Sequence, residues 1–203
     1  MAKKRERFLE RIAKSKFGSE LIEDSWDSNV LRNSPYYKEI ENVYKRLGGI
    51  QKEVPLTPGD YDISTKEALI ELDEENHFNR YRLITLESDV YNNIQGVDST
   101  QYKKFCRTRE SQCLKFGGYW TSSSSEIQFG VSDPNGEFTT NGSARWKQRA
   151  FYDFLKDVYS LETGRKLIRI PIYEIYNYQS IDYILSYEDS RNLVNYLNKR
   201  IKP

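Results

Sequence analysis

ALIELDEENHF, residues 68–78, sets the architecture and gathers most of the chain's unusual chemistry. Side chains in a strand alternate between faces. Read as a strand, ALIELD therefore sends Ala68, Ile70 and Leu72 to one side, and Leu69, Glu71 and Asp73 to the other. The first side is a core face. The second carries two carboxylates, roughly 7 Å apart along the backbone, at the end of a strand that is otherwise apolar. A packed strand does not hold acids on such a face without partners. His77, the only histidine in the chain, follows shortly after.

Upstream, EVPL (53–56), the turn PGD (58–60) and YDI (61–63) read as a hairpin or bent strand pair. A second hairpin, between the YDI strand and its probable neighbour ALIELD, would bring Asp62 beside Glu71 and Asp73. Ser34-Pro35 opens a helix whose stripe is Ile40, Val43, Tyr44 and Leu47, and Gly48-Gly49 closes it. The first helix, residues 3–16, is strongly basic, which fits a solvated face or a phosphate-contacting arm. Downstream, residues 102–114 read as a helix. The Gly-, Ser- and Thr-rich stretch that follows contains EIQFGV and EFTT around a DPNG turn, and reads as a surface β-hairpin. RWKQRAFYDFLKDVYS (145–160) is an amphipathic helix that presents Arg149, Asp153 and Lys156 on a face of their own. KLIRIPIYEI (166–175) supplies a second buried strand, and a helix containing Leu193, Val194 and Leu197 ends the chain. This order implies an α/β fold, a mixed central sheet flanked by helices.

Composition narrows the function. The net charge of +1 gives no bulk attraction for nucleic acid, so any such binding rests on local patches. Cys106 and Cys113 with one distant histidine cannot build a standard structural zinc site, and both are expected to be free thiols. No apolar run approaches the ~20 residues of a membrane span. No signal peptide is read, and a cytoplasmic location is expected.

Three carboxylates converging from a hairpin repel one another unless a cation sits among them. Oxygen ligands of this kind suit Mg²⁺ or Mn²⁺. A neutral histidine nearby can take a proton from a metal-bound water or position it. YDI, then IELDEENHF, then a helix carrying an Arg…Asp pair, then LIRIP resembles the PD-(D/E)xK nuclease superfamily, and more narrowly its very-short-patch-repair endonuclease branch. The resemblance covers about residues 35–175. It implies a restriction-endonuclease-like core and a metal-dependent endonuclease that cuts DNA in repair, restriction or phage defence. It further implies Asp62 and Glu71 on the metal, with Asp73 and His77 completing the site. Asp73 stands where the superfamily commonly has a lysine. A helical glutamate often joins such sites, and Glu39 and Glu41 flank its expected position.

Arg80, Arg82, Arg149 and Lys156 are candidates for phosphate contacts or for ion pairs with the acids. Cutting both strands would call for two sites, and hence for a homodimer. The expected organisation is a basic helical segment (1–33), a core (34–175) with a β-hairpin-containing insertion (about 91–143), and a C-terminal helical extension (176–203). The competing reading is a noncatalytic nucleic-acid- or protein-binding module using residues 3–16, residues 103–109 and exposed Tyr119 and Trp120.

Overall fold

Strand β2 (Leu69–Asp73) runs through the middle of a three-stranded sheet, and the computed structural model, which describes residues 2–19, 26–116 and 120–202, builds the rest of the chain around it. On one side it pairs antiparallel with β1 (Ile63–Ser64), with Ile63 opposite Ile70. Thr65 closes this hairpin: its hydroxyl donates to the Ala68 carbonyl (2.8 Å) and accepts from the Ala68 N–H (3.0 Å). On the other side β2 pairs parallel with β3 (Leu167–Pro171), which sets Glu71 opposite Arg169 and Asp73 opposite Pro171. Parallel neighbours need a long crossover. Here it is mostly helical, with α4 (Arg80–Leu86), α5 (Ser99–Phe116), α6 (Ser123–Phe129) and α7 (Ala144–Thr163).

The alternation expected of residues 68–73 is present. Ala68, Ile70 and Leu72 join the main core, whereas Leu69 packs with Tyr61 and Leu167 in a small separate cluster. Glu71 and Asp73 face α7, and both are buried. The N-terminal helix α1 (Ala2–Phe17) contributes Phe8, Leu9, Ala13 and Phe17 to the same core. It packs on α8 (Ile181–Ser186) and α9 (Ser190–Ile201). Its basic residues are largely engaged: Arg5 is buried against Glu74, Glu75 and Asp182, Lys14 pairs with Glu10, and Lys4 and Arg11 reach Glu188. Two further helices, α2 (Ser28–Arg32) and α3 (Tyr37–Arg46), precede the sheet. A two-stranded ribbon follows β3. Among the described residues no helix is long and apolar enough to cross a membrane.

Two expectations about the insertion are corrected. The stretch read as a β-hairpin, EIQFGV with EFTT, contains no strand among its described residues. Ser123–Phe129 is helical. Ser122 caps it: its hydroxyl accepts from the Ser125 N–H, and the Ser125 hydroxyl accepts from the Ser122 N–H. Gly130, at φ +80°, ends it in a conformation suited to glycine. Residues 137–140 are held as a loop by the Asp133 carboxylate, which accepts from the Thr140, Asn141 and Gly142 N–H groups. Trp120, expected to be exposed, is buried and donates to the Asp133 carbonyl (2.7 Å). Tyr119 lies outside the described residues. Cys106 and Cys113 are free, buried thiols, as expected.

Candidate active site at the end of strand β2

The start of β1 and the middle of β2 place Asp62 and Glu71 together. Glu71 Oε1 accepts from the Asp62 backbone N–H (3.1 Å), and Asp62 Oδ2 accepts from the Leu72 N–H (2.8 Å). Asp62 is exposed and Glu71 is buried, so the pair runs from the surface into the interior. Lys156, reaching down from α7, donates to Glu71 Oε1 (2.7 Å) and to the Asp60 carbonyl (2.6 Å). Burial pushes the Glu71 carboxyl up to about 7; Lys156 opposes the rise and the Asp62 charge adds to it. Glu6, an exposed residue of α1, is also pushed up, first by partial burial and then by Asp62. The helical acid whose charge is felt with that of Asp62 is therefore Glu6. Glu39 instead accepts from Asn42 on its own helix (3.3 Å), and neither Glu39 nor Glu41 touches the cluster among the described residues.

Two residues further along β2, Asp73 enters a second arrangement. His77 sits in a short turn, Glu75–His77, and points Nδ1 between two carboxylates: Asp153 Oδ2 at 2.8 Å and Asp73 Oδ1 at 3.2 Å. One ligand atom from each of Asp73, His77 and Asp153 lies within 4.8 Å of the others. The imidazole is raised above its ordinary value; burial opposes the rise, and Asp153 and then Asp73 outweigh it. Asp153 is held well below the usual carboxylate range, because His77 and Arg169 outweigh its burial.

Arg169 is the cation at the centre. It has no exposure to solvent. Its Nη1 donates to Asp73 Oδ1 (2.8 Å), its Nε to Asp157 Oδ1 (2.6 Å) and its Nη2 to the Asp153 carbonyl (3.0 Å). Asp73 Oδ2 accepts from the Tyr102 hydroxyl (2.6 Å). Both Asp73 oxygens are thus engaged, one by Arg169 and His77 and the other by Tyr102. Asp62, which is exposed, and Glu71, whose Oε2 stands 3.9 Å from Arg169 Nη1, are the other hard-oxygen donors of the cluster. Their chemistry fits Mg²⁺ or Mn²⁺.

The four cations singled out from the sequence separate in space. Lys156 binds Glu71, and Arg149 is near Asp153. Arg149 is half-buried and held below its usual value by burial, against the pull of Asp153. Among the described residues it makes no hydrogen bond or close ion pair. Arg82 is buried in the interior, donating to Asp157 Oδ2 (2.8 Å) and the Tyr91 hydroxyl (2.8 Å), so it cannot reach a ligand. Arg80 lies elsewhere, clamped by Glu110 (2.9 Å) and stacked 3.6 Å over Phe138. Sequence reasoning missed Glu6, Tyr102 and the central role of Arg169, and it read Asp153 only as a partner for Arg149. A charge within LIRIP was the signal available for Arg169, since a charged residue in a buried strand needs a partner.

The family model of DUF7255, a family of unknown function, matches residues 42–187. That span holds Asp62, Glu71, Asp73, His77, Asp153, Lys156 and Arg169, and leaves out Glu6. No curated protein and no solved structure gives a significant match.

Proposed function

The chain belongs to DUF7255, a family of unknown function, and we propose that this member is a divalent-metal-dependent phosphodiesterase, an endonuclease acting on DNA. The observation that carries the reading is the pairing of Asp62 with Glu71 across the β1–β2 hairpin, one exposed and one buried, with Lys156 bound to Glu71. A buried carboxyl raised by burial and by a neighbouring acid is what a bound dication would relieve. Asp62 and Glu71 would hold Mg²⁺ or Mn²⁺, which supplies a Lewis acid for the phosphoryl oxygen and a more acidic water.

The remaining roles fall to the chain's own residues. Lys156 fixes the Glu71 carboxylate by binding one of its oxygens. Asp73 and Asp153 orient His77 through Nδ1 and favour its charged form, from which Nε2 can give a proton to the leaving oxygen. Arg149, a cation with no close partner beside Asp153, is placed to receive a phosphate of the substrate strand. Asp73 is a positioning residue in this scheme.

One observation favours a second reading. Arg169 already neutralises Asp73, Asp153 and Asp157, so much of the acid cluster is a satisfied structural network. A noncatalytic binding module on the same scaffold would need no more than that. Incubation of supercoiled plasmid with the protein in Mg²⁺, Mn²⁺ or EDTA separates the two. The nuclease reading expects cutting only with metal, lost in Asp62→Ala and Glu71→Ala while DNA binding survives. Metal-independent behaviour, or no cutting of any DNA form, supports the module.

A further inference from the structure

A cavity of about 340 Å³ lies away from the acidic cluster, between the end of α3, the start of α4 and the 138–142 loop. Among its lining residues are Arg46, Leu47, Arg80, Tyr81, Phe138 and Lys147. Three of these six are cations, and no carboxylate lines the cavity. Arg46 and Arg80 have outside partners, Glu87 (2.6 Å) and Glu110 (2.9 Å). Lys147 has none. It is only 6% exposed, its amine donates to the Asn141 side-chain oxygen, and no acid lies within ion-pair distance among the described residues. Asp133, the acid whose charge acts on it, is already engaged by Thr140, Asn141 and Gly142. A buried ammonium without a counter-charge is costly, and proteins normally pair such groups. At Gly48 the backbone approaches closely: φ is +83° and an added Cβ would stand 3.2 Å from Lys147 Nζ. The glycine keeps the space around the amine open.

We propose that this cavity binds the phosphate group of a mononucleotide-sized organic phosphate, with Lys147 as the buried charge partner and Arg46 and Arg80 at the rim. Phosphate suits a lysine point charge combined with arginine forks that retain free N–H groups. The volume is at the small end of ligand sites, and Leu47, Tyr81 and Phe138 give it an apolar flank for the organic part. Lys147 and Lys156 are nine residues apart on α7. At about 100° per residue that is half a turn, so this site and the acidic cluster lie on opposite sides of the helix. The inference does not depend on the cleavage reading. The phosphate could belong to a free nucleotide or to the 5′ end of a strand; the chemistry is shared.

Calorimetry on the full chain tests it, using inorganic phosphate, a nucleoside 5′-monophosphate, the uncharged nucleoside, and one oligonucleotide with and without a 5′-phosphate. The monophosphate should bind at least tenfold tighter than the nucleoside, about the effect of one charge-assisted hydrogen bond. Lys147→Met should lose at least tenfold in that affinity, and its thermal midpoint in phosphate-free buffer should equal or exceed that of the natural protein. Arg80→Gln, at a half-exposed position, provides a second variant with the same expected loss. Preference for the 5′-phosphorylated oligonucleotide assigns a strand end, and indifference to it assigns a free nucleotide. Equal affinity for nucleoside and monophosphate, no binding of either, or undiminished binding by Lys147→Met and Arg80→Gln would overturn the proposal.

Discussion

Replacing Arg169 with methionine removes the cation that four acids share. Glu71, Asp73, Asp153 and Asp157 are all buried, and Arg169 approaches them at 3.9, 2.8, 3.4 and 2.6 Å. Methionine keeps most of the volume and none of the charge. Asp73 and Asp157 each lose a short hydrogen bond, and the interior gains one uncompensated negative charge. Removing one partner of a buried ion pair costs about 3–5 kcal/mol. In a chain of this size each kcal/mol shifts the midpoint by about 2–4 °C, so the variant should melt roughly 6–20 °C lower. Circular dichroism melts at pH 7, with a urea series to separate stability from compactness, measure it. The deficit should narrow as pH falls, because protonating the orphaned carboxylates removes the buried charge that costs stability. A loss under about 1 kcal/mol, or a deficit that grows on acidification, would refute the view that Arg169 neutralises this network.

Two further effects follow from single residues. His77 is the only histidine, so its ring protons give one NMR titration curve, which should lie above 6.5 and return toward that value in Asp153→Asn. Because the imidazole is raised on folding, its stabilising contribution is complete below the unfolded value and is lost as pH rises through the folded one. Asp153, held down, contributes above its unfolded value and loses that contribution as pH falls through its folded one, so the pair stabilises most between the two. A folded midpoint for His77 at or below 6.5 would contradict the geometry at Nδ1. At Gly96, φ is +86° and an added Cβ would meet the Leu167 carbonyl oxygen at 2.2 Å. Gly96→Ala should therefore cost about 2 kcal/mol or more in chemical denaturation, and an unchanged midpoint would show that this β3 contact yields easily.

Where a residue's periodicity matched its burial, the sequence was readable. ALIELD alternates because one side meets an aliphatic core and the other meets charged partners. Residues 145–160 keep Phe151, Phe154 and Val158 inside, and their polar face brought Asp153 and Lys156 to the acids. Ser123–Phe129 misled because its apolar residues do not report burial: Ile127 and, just beyond, Val131 are 63% and 77% exposed. Local serine capping, rather than alternation, sets that helix. The acid cluster was legible as a clash of charges, but the identity of the neutralising cation was not. Arg169 lies 96 residues after Asp73 and reaches it through parallel strand pairing. Glu6 was hidden for the same reason, since only tertiary packing of α1 brings it near Asp62. The basic N-terminal helix was ambiguous in sequence, and burial of Arg5 among three acids explains part of its charge locally.

The most direct test of the metal assignment is calorimetric titration of Mn²⁺ into the protein and three variants. The expected result is a single Mn²⁺ site whose affinity falls at least tenfold in Asp62→Asn and in Glu71→Gln and stays within a few-fold in Asp153→Asn, because the Asp153 carboxylate is already committed to His77 and Arg169. Absence of Mn²⁺ binding, or a site that disappears in Asp153→Asn and persists in Asp62→Asn, would contradict the assignment of Asp62 and Glu71 as the pair that holds the ion.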